Sequence, residues 1–106
     1  MAISLHVIER LKNFRCLDKA QHLYESGWWA MSEPAAKELV GGRFYLHSAQ
    51  DKPSYFGGSI QSYRVETEGE WSGRILFTFV ADHEGQGFRT GKTGWRMERK
   101  IDRSAV

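Results

Sequence analysis

The chain has 106 residues, 41% of them hydrophobic and 26% charged, with a formal net charge of +2. That length suits a single domain with its own core, and the composition excludes disorder, collagen and a whole-chain coiled coil. No run approaches the roughly 18 apolar residues of a membrane span, and one cysteine excludes an internal disulfide framework or a thiolate-only zinc site.

No basic stretch followed by an apolar core opens the chain, so no signal peptide is expected and the cytoplasm is the default compartment. Residues 5–26 carry Leu5, Ile8, Leu11, Phe14, Leu17, Ala20, Leu23 and Tyr24 at spacings of three or four, which predicts helix. The helix either fills that span or is confined to Asp18–Glu25, with Asp18 as N-cap and Gly27 as the left-handed C-cap. Trp28 to Met31 is a short apolar run suited to a buried strand. In Ser32-Glu33-Pro34, a capping hydroxyl, an acidic residue and a first-turn proline predict a second, short helix. Gly41-Gly42 ends it. Arg43 to Ser48 alternates as a strand, with Phe44 and Leu46 on one face and Tyr45 and His47 on the other. Ser59 to Glu66 alternates again, and Glu68-Gly69-Glu70 is a polar turn. Arg74 to Val80 is the strongest strand, with Ile75, Phe77 and Phe79 turned to the core. Asp82 to Gly94 is a glycine-rich loop, and Met97 to Ile101 closes the sheet. Few helices among alternating strands predict a small α+β barrel.

Several chemistries are excluded by spacing. Gly87 and Gly85 leave three and five residues before Gly91-Lys92-Thr93, where a phosphate loop needs four. His6, His22, His47 and His83 are scattered and match no metal-ligand spacing. Glu66, Glu68 and Glu70 share a parity that marks exposed surface, and Cys16 is a nucleophile only with a base beside it in space. The 13% aromatic content is more informative: a small domain cannot bury every large ring, so some line a binding surface. Residues 89–103 hold Arg89, Lys92, Arg96, Arg99, Lys100 and Arg103 against Glu98 and Asp102. That basic run suits either a phosphate backbone or a solvated edge strand.

Two segments carry a family resemblance. Trp28-Trp29-Ala30-Met31-Ser32-Glu33-Pro34 resembles the opening of EVE domains, members of the PUA-like superfamily, and Gly42-Arg43-Phe44-Tyr45-Leu46-His47-Ser48 resembles their second signature with Leu46 inserted. The likeness covers under half the chain. It lacks the long Trp- and Arg-containing segment that those domains place between the two motifs, and it adds an N-terminal segment. It implies a PUA-like pseudo-barrel of five or six mixed strands, with the N-terminal helix and the Ser-Glu-Pro helix at its ends. It also implies a base-binding site near Ser32 and the Tyr-Leu-His-Ser strand end.

The expected function is a module that holds a modified or flipped base of DNA or RNA in an aromatic pocket. Trp28, Trp29, Tyr55, Phe56 and Trp95 supply stacking faces, while Ser32, His47, Ser48 and Ser54 read base edges. Lys52, Arg64, Arg89, Lys92 and Arg96 steer phosphates, and Gly57-Gly58 lets backbone approach the ligand. No cofactor or metal is called for, and no membrane. Two alternatives stand beside this one. The first is a protein-interaction or accessory subunit of a defence or toxin system, with the aromatics as a flat patch. The second is a small hydrolase of modified nucleosides, resembling PUA-like relatives that use a Lys, Thr and Glu set; no motif here aligns such a set, since Lys37-Glu38 has the wrong local pattern and Lys92-Thr93 lies in a loop.

Overall fold

The computed structural model describes residues 3–10, 14–91, 94–96 and 98–103. Among them the chain forms β1 (Ser4–Ile8), β2 (Phe14–Asp18), β3 (Leu23–Trp29), α1 (Glu33–Leu39), β4 (Arg43–His47), β5 (Ser54–Val65), β6 (Ile75–Ala81) and β7 (Arg99–Asp102). A single 3₁₀ turn covers His83–Gly85. All seven strands join one mixed sheet in the order β2-β3-β6-β5-β4-β1-β7. The β1–β4 pair is parallel and the other pairs are antiparallel.

This architecture corrects the expected one. The five- or six-stranded PUA-like α+β pseudo-barrel with an N-terminal helix is replaced by one seven-stranded mixed sheet and one helix. The error lies in residues 5–26. Every residue of β1 is buried; Leu5 and Val7 do alternate with Ser4 and His6, but over five residues that signal is outweighed by the longer run of three- and four-residue spacings. Residues 14–29 form a hairpin. Asp18 does cap backbone, accepting from Ala20 N at 3.0 Å and Gln21 N at 3.3 Å, but the capped unit is a turn, not a helix. His22 takes a positive φ of 54° there, and the chain reverses into β3.

The Ser-Glu-Pro reading holds. The Ser32 hydroxyl accepts from Ala35 N at 3.3 Å, Glu33 stands at the positive end of the dipole, and Pro34 lies in the first turn. Ala36 and Leu39 are the buried face of α1. With Leu5, Val7, Phe44, Leu46, Ile60, Ile75, Phe77 and Phe79 they form the main core. Gly57 and Gly58 have a packing reason. A Cβ on either would strike the Phe44 or Val80 carbonyl at 2.1 or 1.8 Å, so they let β5 nestle between β4 and β6.

A second, smaller cluster lies on the other face of β1 and β4. The His6 ring stacks on Tyr45 at 4.9 Å, and Phe88 stacks on Tyr45 at 4.4 Å. Trp95 meets His47 edge-on at 5.7 Å. The glycine-rich loop therefore covers this face. Ser54 latches it, donating to Gly85 O at 2.7 Å and accepting from Phe88 N at 3.0 Å. The sheet also curls: Arg99 of β7 donates to Ala30 O, just past β3, so flanks distant in strand order meet at one seam.

Candidate functional site

The seam is an open cleft of about 550 Å³ lined by Ile8, Glu9 and Arg10 from the end of β1, Gly27 to Trp29 from the end of β3, Trp71 from the β5–β6 loop, and Glu98 ahead of β7. Adjacent strand residues ordinarily point to opposite faces. Here the β3–β6 register slips between Ser26 and Trp29, and that bulge brings both Trp28 and Trp29 to the same cleft. Gly27 makes the slip possible, since a Cβ there would sit 2.6 Å from Leu76 Cγ.

Trp28 and Trp71 stand side by side with centroids 6.0 Å apart and planes 16° from parallel. They are 37% and 40% exposed, so each offers a face to solvent. Trp28 is held by its indole N–H, which donates to Glu66 Oε1 at 2.9 Å. That bond is the leading reason the Glu66 carboxyl titrates below its ordinary value. Trp29 is anchored by its own N–H, donating to Ser26 Oγ at 3.3 Å. The Arg74 guanidinium lies over the Trp71 ring at 5.3 Å. The one cation lining the cleft among the described residues, Arg10, is paired with Glu98 at 3.1 Å.

Trp28 is also a wall of a second groove, shared with Phe14, Arg15, Glu25, Arg64, Glu66 and Leu76. Its centre is the buried carboxylate of Glu25. Arg64 Nε donates to Oε2 at 2.9 Å and Arg15 Nη2 to Oε1 at 2.9 Å. The Arg64 hydrogen bond, more than the Arg15 bond, holds the Glu25 carboxyl below the usual carboxylate range. Arg64 thus has two protein carboxylates, Glu25 and Glu66 at 3.7 Å, and is not a free phosphate contact.

The other expected residues separate into supports and bystanders. His47 is fully buried and reaches no cleft. It belongs to a hydrogen-bonded chain: Lys52 O to His47 Nδ1 at 2.9 Å, His47 Nε2 to His6 Nδ1 at 2.9 Å, and His6 Nε2 to the Ser4 hydroxyl at 3.1 Å. A carbonyl only accepts, so His47 Nδ1 carries the proton and Nε2 is bare. His6 then donates through Nδ1, and Ser4 donates to His6 Nε2. This direction requires both rings neutral. Burial first, then the like charges of His47 and Lys100, lower His6 to about 4, and burial also lowers His47.

His47 O accepts from Glu9 N at 2.9 Å, and the Tyr55 hydroxyl donates to Glu9 O at 2.5 Å. These two residues hold the cleft wall from behind. Burial, then Glu9, raises the Tyr55 hydroxyl to about 12, so it stays a donor. Phe56 stacks on Phe14 at 4.9 Å, inside a layer with Tyr24 and Phe79. Trp95 is half-buried against the histidines, with an indole N–H that has no partner. Ser32 is the α1 cap, Ser54 the loop latch, and Ser48 is exposed. Lys52, Arg89 and Arg96 are exposed and do not line the cleft. Lys92 lies outside the described residues, as do Thr93 and Met97. Lys37 and Glu38 lie on α1, with Glu38 held by Arg103 at 2.7 Å, away from the tryptophans.

Trp71, Glu9, Arg10 and Glu98 were not anticipated. Trp71 had a signal: a tryptophan inside the polar stretch Glu68-Gly69-Glu70-Trp71-Ser72-Gly73 has no local core to enter. The glutamates had none, because only the curl of the sheet brings the ends of β1 and β3 together. Comparison with known proteins finds no matching family model, no matching curated protein and no matching solved structure. No helix among the described residues is long and apolar enough to cross a membrane, and no group of three or more potential ligands among them could hold a metal ion.

Proposed function

We propose that this chain is a nucleic-acid-binding module that takes a single base, unpaired or turned out of its stack, against the tryptophans of the seam cleft. The observation that carries the reading is the near-parallel, solvent-facing pair Trp28 and Trp71, with Trp29 beside it. Two flat faces held by side-chain hydrogen bonds and a loop suit a flat heterocycle, and each stacked base adds about 1–3 kcal/mol. A ring placed between them needs roughly 7 Å from plane to plane, twice the usual stacking distance of about 3.5 Å. The 6.0 Å centroid separation is short of that value, so a base enters only if the Trp71 loop opens by about 1 Å or more, or else stacks on an outer face of the pair. The motif likeness to EVE domains points the same way. The basic residues stand off the cleft, so the grip is on the base more than on the phosphates.

The test is a titration of tryptophan fluorescence with short single-stranded DNA and RNA, with and without base modifications, at two salt concentrations. Quenching that persists in added salt and is weakened at least fivefold in Trp71→Ala supports stacking. Equal quenching in Trp71→Ala, or quenching abolished by modest salt, refutes it. No response to any oligonucleotide turns the exposed pair into a protein-contact patch.

A further inference from the structure

We infer that the cleft selects a positively charged flat ring, an N-methylated purine cation, over its neutral counterpart. The inference rests on the base-binding reading above and adds the charge of the ring to it. Three observations carry it. First, the walls are tryptophan faces, the strongest aromatic partners for a cation, and they are 16° from parallel. Parallel walls fit a flat cation, whereas a rounded ammonium group is best enclosed by walls set at angles to each other. Second, the chain already presses a flat cation against one of these rings: the Arg74 guanidinium lies 5.3 Å from the Trp71 centroid. Arg74 occupies that face, so the Trp71 ring already holds one planar cation, and a ligand has only the Trp28 side of the pair to enter.

Third, the surrounding charge is negative. Two carboxylates, Glu9 and Glu98, line the cleft against one cation, Arg10, which pairs with Glu98. Glu68 and Glu70 flank Trp71 in the loop. Glu66 acts more directly. Its Oε1 accepts the Trp28 indole N–H at 2.9 Å while its Oε2 pairs more loosely with Arg64 at 3.7 Å, which leaves part of the carboxylate charge on the ring's edge and pushes electron density toward its faces. A cation over Trp28 gains from both, while a neutral base gains from neither.

The experiment compares two isomers at pH 7: 1-methyladenosine, which is a cation, and N6-methyladenosine, which is neutral and carries the same methyl group. Adenosine and tetramethylammonium complete the set. Binding is read by tryptophan fluorescence and by the shifts of the indole N–H resonances. The expected result is 1-methyladenosine binding about 3- to 30-fold tighter than its isomer, with that ratio falling in Glu66→Gln, which keeps an acceptor for Trp28 and removes the charge. A thermal melt of the variant checks that it is folded. Equal binding of the two isomers overturns the charge selection and leaves the base-binding reading intact. Tetramethylammonium binding while all three nucleosides fail overturns both, and so does silence from every probe. A ratio unchanged in Glu66→Gln overturns the role given to that carboxylate.

Discussion

Acid should unfold this protein earlier than its carboxylates alone would dictate, because it buries two neutral histidines in one hydrogen-bonded chain. Consider His6. Its ordinary pKa is 6.5 and its folded value is about 4. Below pH 6.5 the unfolded chain binds a proton that the folded chain refuses. The stability contributed by a neutral His6 is thus complete above pH 6.5 and lost as pH falls toward 4. At about 1.4 kcal/mol per tenfold difference in proton affinity, the full loss is roughly 3 kcal/mol. By pH 5 about 2 kcal/mol is already gone. His47 is shifted in the same direction and adds to the loss. The carboxylates work in a separate window: Glu25, Glu66 and Asp82 are depressed, so their contribution falls only below their ordinary values of 4.5, 4.5 and 3.8.

Urea unfolding at pH 7.5 and pH 5 reads the difference directly. With a slope of about 1–3 kcal/mol per molar urea, the wild-type midpoint should drop by about 1–2 M. His6→Asn keeps a donor toward His47 and does not titrate. It should be less stable at pH 7.5 but lose distinctly less between the two pH values. A wild-type midpoint that is flat from pH 7.5 to 5, or an equal drop in the variant, would refute the neutral-chain assignment.

Two further outcomes follow from the elements that set the tryptophans. Gly27→Ala drives a methyl into Leu76 at 2.6 Å. It should cost about 1–3 kcal/mol in thermal melts, and combining it with Leu76→Ala should cost less than the two single changes added together. Around Glu25, either Arg15→Ala or Arg64→Ala leaves one guanidinium on the carboxylate. Each should cost about 1 kcal/mol or less, because both arginines are largely solvated. The double variant strands a buried carboxylate and should cost about 3–5 kcal/mol, with Glu25→Gln restoring much of it. Additive small losses would mean that solvent reaches Glu25 freely.

Legibility in the sequence followed burial geometry. β4 and β6 alternate clearly, β4 in residue type (Phe44 and Leu46 against Tyr45 and His47) although it is buried on both faces, and α1 is bracketed by its cap and first-turn proline at one end and Gly41-Gly42 at the other. The strand β1 carries the same pattern, with Leu5 and Val7 in the core and Ser4 and His6 on the histidine side, but in only five residues that Ile8 then breaks. The Asp18 signal was chemically sound and structurally ambiguous: a side-chain oxygen accepting nearby N–H groups starts a helix or closes a turn with equal ease. What decides is whether the following residues have a face to bury. Lys19, Ala20, Gln21 and His22 have none, being exposed.

The site was half legible for a related reason. Composition said that some rings must remain outside the core, and Trp28 and Trp29 both line an open cleft. Strict alternation would turn the two to opposite faces, and one inserted residue in the ladder brings them to the same cleft. Such a slip is set by the partner strand. Gly27 lets the backbone close on Leu76, and Leu76 lies about 50 positions away in sequence. The Tyr-Leu-His-Ser strand end lies behind the cleft and does not line it. His47 and Tyr55 grip the Glu9 backbone behind the cleft instead of facing into it. A polar side chain near a ligand can touch the ligand or hold what touches it. Only the hydrogen-bond direction separates the two, and here every such group that reaches Glu9 is spent on the protein's own backbone.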